Sequence, residues 1–243
     1  MLIFVVALFS IAFAQSGPSS RRGRKPVDMQ GDDAYSIKFE DTTALCLVGN
    51  VMFYHNGAVI TCDSAVRYSE RHMECFRNVL INKDSLYVYG DRAEYNGETN
   101  MAYVYSALIK VVDGDALLYT YNFKFNTESR VGNYTGGGVL VHDDNIIESQ
   151  RGYYYSQSHD IVCVDDVELH GEEYDMKSDS IIYNTDSEMA RFFTSSEIWN
   201  ADGDYLSADA GMYDKAQDLY MITRNGYILT EDQELWGDTL SYF

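Results

Sequence analysis

Three sets of residues in this chain have types and spacings that could do chemistry. The first is an aspartate followed four positions later by an aromatic: Asp91 with Tyr95, Asp179 with Tyr183, Asp209 with Tyr213, Asp238 with Tyr242. Looser copies stand at Asp33, Asp63, Tyr121 (with Phe125) and Ser149 (with Tyr153). An array of carboxylates could hold Ca²⁺, and Asp113-Gly114-Asp115 and Asp202-Gly203-Asp204 begin like calcium loops, but neither continues into the full ligand pattern. Each marker aspartate is therefore expected to accept backbone or tyrosine-hydroxyl hydrogen bonds at a strand end, with the aromatics forming a packing ladder. The second set is His55, His72, His142, His159 and His170, all at or near turn signals. His142 and His170 recur one period apart, which marks a turn position rather than metal-ligand spacing. The third is Cys46, Cys62, Cys75 and Cys163, in which no pair has C-x-x-C spacing. Cys46 and Cys75 lie one repeat apart, but repeat-related strands of an up-and-down sheet are about 9.6 Å apart, beyond disulfide reach. Four buried thiols are expected. With no G-x-S-x-G, H-E-x-x-H or phosphate-binding glycine loop, no catalytic residue, metal or cofactor is expected, and the chain reads as a non-enzyme.

These residues sit on a repeat. The marker recurs at steps of 30, 28, 30, 28, 30, 30 and 29 residues, so one unit is stacked about eight times. Each unit holds two turn signals half a period apart. One series runs through Asn56-Gly57, Lys83-Asp84, Asp113-Gly114, Asp143-Asp144, His170-Gly171, Asp202-Gly203 and Glu231-Asp232. The other runs through Ser69-Glu70, Asn96-Gly97, Asn126-Thr127, Gln157-Ser158, Asn184-Thr185 and Asp214-Lys215. Asn-Gly and Asp-Gly favour the positive φ of tight hairpins. Between the turns lie stretches of about ten residues rich in Val, Ile and Tyr, giving about 15 antiparallel strands. Gly136-Gly137-Gly138 reads as a bulge or tight bend.

The strands have sides. Two alternate positions after each second-series turn form columns: Val51, Val79, Ile109, Val139, Val167, Glu197, Tyr227, and Phe53, Ile81, Val111, Val141, Leu169, Trp199, Leu229. Apart from Glu197 they are apolar, which marks a sheet buried on one face. The marker aspartates, the residues two on and the aromatics are expected to face inward too. So long a sheet with one apolar face must close into a barrel or fold over on itself.

The ends and the charge bound the rest. Residues 1–14 are almost wholly apolar and finish in Ala12-Phe13-Ala14, the pattern of a secretory signal peptide too short to span a bilayer. Residues 15–31 read as a basic linker, and 32–243 as the repeat domain. Arg21, Arg22, Arg24 and Lys25 account for four of the 18 basic residues, while all 38 acidic ones fall at or after Asp28. The remaining chain thus sets 14 basic residues against 38 acidic ones, which argues against nucleic acid and anionic membrane as partners. Both prolines, Pro18 and Pro26, precede the domain, as a ladder that needs every N–H requires.

The segments LVGNVMFYHNGAVITCDSAVRY (47–68) and FRNVLINKDSLYVYGDRAEYNGETNMA (76–102) resemble the OstA-like/LptA family of periplasmic lipopolysaccharide-transport proteins. The likeness lies in G-N-V, a turn, then D-S-A or D-R-A-E-Y and a short hairpin; later units are looser, and Arg67 departs from the pattern. The resemblance implies an all-β sheet folded over into an open β-jellyroll. It also implies lipid A acyl chains held in an apolar groove, and end-to-end association with other transport proteins or further copies through edge strands. The lining is then expected to be Val51, Phe53, Val79, Ile81, Ile109, Val111, Val139, Val141, Val167, Leu169, Trp199 and Leu229. Two alternatives compete. One is an outer-membrane β-barrel, favoured by the leader, the tyrosine-rich strands and Phe243; the other is a secreted β-solenoid acting on polysaccharide.

Overall fold

A computed structural model of the chain describes residues 27–39, 42–172 and 174–242; the expected leader, most of the basic linker and Phe243 lie outside the described residues. Two short strands, β1 (Asp28–Gln30) and β2 (Asp33–Phe39), lead into ten long ones. These are β3 (Thr42–His55), β4 (Ala58–Arg67), β5 (His72–Lys83), β6 (Leu86–Asn96), β7 (Met101–Asp113), β8 (Ala116–Asn126), β9 (Val131–His142), β10 (Asn145–Tyr155), β11 (Asp160–His170) and β12 (Tyr174–Asn184). Eight short strands follow: β13 (Met189–Phe192), β14 (Ser196–Asn200), β15 (Tyr205–Ala208), β16 (Ala210–Asp214), β17 (Leu219–Arg224), β18 (Gly226–Leu229), β19 (Glu234–Gly237) and β20 (Leu240–Tyr242). All pair antiparallel in one sheet.

The pairings reduce twenty segments to fifteen strands. β1 and β2 pair with the two ends of one strand, β3. Likewise β14 and β13 pair with the two ends of β12, and the split then propagates through β15 and β16, β18 and β17, β19 and β20. The expected number of strands and both series of turns are present. Met29 sits opposite Phe53 and Val27 is buried, so strand structure already begins inside the stretch expected to be linker.

Every long strand is bent in the middle. The register slips at each mid-strand, for example between Val48 and Val51, Phe76 and Val79, and Val164 and Val167. Positive φ angles mark many of these points: Gly49 and Asn50, Arg77 and Asn78, Gly136 and Gly137, Asp165 and Asp166. Glycine, Asn and Asp tolerate that geometry best, and a bulge turns the chain while the ladder resumes beyond it. The bends divide the sheet into a first half-sheet ending at the first series of turns and a second ending at the other series.

The two half-sheets face each other. His55 on β3 touches Tyr95 on β6, although three strand spacings separate them along the sheet, about 14 Å. His142 on β9 meets Tyr183 on β12, and Asp113 on β7 meets Tyr154 on β10, across the same interval. Only a sheet folded along its bends brings such residues together. The apolar residues between the halves form one continuous core from Val27 to Ile228. The first strand (β1 with β2) and the last (β19 with β20) each have a neighbour on one side only among the described residues. The sheet is thus open at both ends, which removes the closed-barrel alternative. Its antiparallel hairpins likewise differ from the parallel coils of a solenoid.

Candidate functional site

The space between the half-sheets is lined by eight of the twelve residues expected there. Val51, Phe53, Val79, Ile81, Ile109, Val111, Val167 and Leu169 are all buried, none more than 3% exposed. The other four point outward. Val139 and Val141 are half-buried on the outer face, Trp199 is partly exposed there, and Leu229 is 42% exposed. In each case the inward residue is the neighbour: Leu140, Ile198 and Ile228 are buried. A one-residue slip moves a whole strand to the other face, and here an apolar residue on both sides concealed it. The first column beside the bend is filled at these strands by Gly138, Ser196 and Gly226. A side chain at Gly138 would strike the Tyr134 ring and one at Gly226 would strike Ile222, so small residues are required where the halves converge. That run of small residues was the signal for the correct register.

The marker motif divides its roles. Ala65, Ala93, Ile181 and Gly211 point inward, as do Tyr95, Phe125, Tyr183 and Tyr213. The aspartates do not. Asp63 and Asp91 are exposed at the bends, where Asp63 accepts from the Asn78 amide at 2.9 Å and Asp91 from Ser106 Oγ at 2.7 Å. Asp209 accepts from Asn225 Nδ2, and in the first unit the carboxylate is Asp32, receiving Asn50 Nδ2 at 2.8 Å, rather than Asp33. Asn50, Asn78 and Asn225 all have φ between 45° and 49°. The aspartates therefore fix the bends, mid-strand rather than at strand ends, with mainly asparagine amides as donors. In β10 the inward aromatic is Tyr154, not Tyr153.

Burial tunes the groups inside. Tyr134 hydrogen-bonds Ser149 Oγ at 2.6 Å and lies 3.4 Å from Cys163 Sγ, and burial raises its hydroxyl pKa. Burial also pushes the Cys163 thiol up to about 11. All four cysteines are buried free thiols.

The mouth of the fold, where the two turn series meet, is polar. His55 Nδ1 lies 2.6 Å from Tyr95 Oη, and Asn56 Nδ2 donates to Asn100 Oδ1 at 3.0 Å. Asp84 pairs with Arg130 at 2.9 Å. Tyr154 donates to Asp113, and His142 Nδ1 is 3.0 Å from Tyr183 Oη, which also receives Asn145 Nδ2 at 3.3 Å. Tyr174 packs on Tyr213 with ring centroids 4.5 Å apart. At least one link per repeat joins the lips. Sequence reading placed His55 and His142 at turns but missed their partners, because the two turn series become neighbours only after the sheet folds. Asp113 is strained in this setting: its other oxygen, Oδ1, is buried without a hydrogen bond, at a cost of about 1–3 kcal/mol.

The interior is closed. Cavities between the halves measure about 10 Å³, lined by Val111, Asp113, Ala116, Leu118, Leu140, Tyr154 and Ile161, and about 20 Å³ beside Asp144, Tyr174, Tyr213 and Lys215. Sites for drug-sized ligands occupy roughly 300–1,000 Å³. A guest of that size between the half-sheets would therefore need them to part.

A folded, one-sided apolar sheet of repeated hairpins defines the class, and comparison with known proteins gives the family. Residues 27–179 match the family described as OstA-like protein, and the chain belongs to it. Among solved structures the chain is similar to LptH from Pseudomonas aeruginosa, described as the LptA-homologous periplasmic component of the lipopolysaccharide transport device. The identity is 16% over 43% of this chain and 79% of that one, with a TM-score of 0.38. No curated protein matches.

Proposed function

We propose that this protein is a periplasmic bridge of lipopolysaccharide transport to the outer membrane, carrying lipid A or a related lipid by its acyl chains between the two half-sheets. The observation that carries the reading is the pair of apolar faces turned toward each other along the whole repeat, with a polar mouth on one side and open ends. Membership of the OstA-like family supports it. Burying acyl CH₂ groups contributes about 0.8 kcal/mol each, so one long chain supplies roughly 10 kcal/mol to offset separating the halves. The work is binding and transfer, with no bond made or broken. The partners are the lipid, other transport proteins and further copies of the chain, joined by strand addition at β1–β2 and β19–β20. Both edges suit this: Tyr35 is 53% exposed on one and Trp236 68% exposed on the other.

The test is mass spectrometry of protein purified from its native envelope without detergent. Stoichiometric acylated glycolipid is expected; protein that is lipid-free and refuses added lipopolysaccharide contradicts the reading.

A further inference from the structure

We propose that the seam between the two turn series is the gate by which lipid enters, sideways, and that it parts first at Asp113 and Tyr154. This deepens the carrier reading and rests on it. Three observations converge. Among the described residues the voids between the half-sheets are about 10 and 20 Å³, so loading requires the half-sheets to separate somewhere. At the bends they are joined covalently through every continuous strand, from β3 to β12, and by the aspartate–asparagine bonds. At the mouth they are joined only by side chains, with one or two polar links per repeat among the described residues. The hinge is therefore the bend and the moving edges are the lips.

The links are replaceable by water, which suits a gate. His55, Asp113, Tyr154, His142 and Tyr183 lose their cross-seam partners on opening and gain solvent in exchange, as does Tyr95, which keeps Thr127 Oγ1 at 3.2 Å; the apolar lining gains nothing. Asp113 differs from the rest because opening hydrates an oxygen that has no partner when closed. Beneath it lies the apolar void of about 10 Å³ lined by Val111, Leu118, Leu140 and Ile161. The middle of the seam thus sets an oxygen that gains a partner only on opening directly over an apolar void, although Asp113 is also held across the seam by His159 at 3.9 Å. Phe125 supports the assignment of roles. It is the marker aromatic without a hydroxyl, and in its repeat the Asp84–Arg130 ion pair bridges the lips instead.

The test is a reversible lock. Asn56→Cys with Asn100→Cys places two thiols across the seam, and Thr99→Cys with Asn126→Cys places two within one lip, where Asn126 Nδ2 reaches Thr99 O at 3.1 Å. Uptake of a BODIPY-labelled hexadecanoic acid is followed by fluorescence in oxidised and reduced full-length protein. The seam lock should slow uptake at least tenfold, reduction should restore it, and the same-lip lock should leave it unchanged. Equal uptake by the seam-locked and reduced forms overturns the gate and assigns access to the open ends. Failure of every form to take up the probe, reduced wild type included, overturns the carrier reading itself. Asp113→Asn, which removes the buried charge, should slow uptake several-fold while the thermal midpoint holds or rises; faster uptake contradicts an opening that starts there.

Discussion

From β3 to β12 each strand crosses the bend unbroken, whereas the last four strands are cut in two by it. In the first region two residues of αL backbone, such as Gly49-Asn50 or Asp165-Asp166, turn the chain and the ladder resumes. In the second region the ladder stops. Phe193, Thr194 and Ser195 separate β13 from β14, Asp209 separates β15 from β16, and Asn225 separates β17 from β18. Side chains take over the freed backbone groups. The Thr194 hydroxyl receives Ser180 N at 3.2 Å and lies 3.1 Å from Ser178 Oγ. Arg224 Nη2 reaches the carbonyls of Phe193 at 3.1 Å and Asp209 at 2.7 Å. The difference teaches that unbroken strands carry the bend in one region, whereas in the other side chains reinforce a broken ladder in which Asp209 N still donates to Arg224 O at 3.0 Å. The family match ends at Asp179, inside the strand where the split begins.

Core truncation should separate the regions most strongly. Phe125→Ala, in the continuous region, should cost about 3–5 kcal/mol and lower the main unfolding transition. Phe192→Ala, equally buried in the split region, should leave amide exchange in β6–β9 unchanged while accelerating it in β13–β20. A single cooperative transition lowered alike by both would break the comparison.

Alkaline pH gives a second contrast. Cys163 holds its proton up to about 11 in the fold, against 9.0 when unshifted. A raised folded pKa gives stability that is complete below pH 9 and lost as pH rises toward 11, at most about 3 kcal/mol. Urea titrations at several pH values should show that loss in the continuous region, and Cys163→Ala should remove its own share while leaving that of Cys75 and the buried tyrosines. The split region contains no cysteine.

Smaller effects test the staples and the faces. Arg224→Ala should destabilise the split region alone, by about 1.5–3 kcal/mol, read by exchange at β16–β18. Val139→Gln and Val141→Gln, on the outer face, should shift stability by less than about 0.5 kcal/mol. Val79→Gln, which buries an amide, should cost several times more. Equal costs would undo the assignment of faces.

Much of this was legible in the chain because hairpin chemistry is local. Asn56-Gly57 and its counterparts announce turns wherever they stand, and Val51, Phe53, Val79 and Ile81 alternate cleanly enough to mark the inner face. The register failed where both neighbours are apolar. Val139-Leu140-Val141 and Ile198-Trp199 carry no polar residue to mark the outside, and the small residues Gly138, Ser196 and Gly226 had to be recognised as lining. The bends and the seam were not legible. Asp91 looks alike at a strand end or at mid-strand, and Tyr95 meets His55 only once the sheet has folded. Pairings 40 residues apart, through neither hairpin nor repeat, have no local signature.

The most direct measurement is site-specific photo-crosslinking with acylated lipopolysaccharide in the intact envelope. A photoreactive residue at Phe53, Ile109 or Leu169 should capture lipid, and one at Val139, Val141, Trp199 or Leu229 should capture little. Equal capture by the two sets, or capture by the outer set alone, would show that the cargo does not lie between the half-sheets.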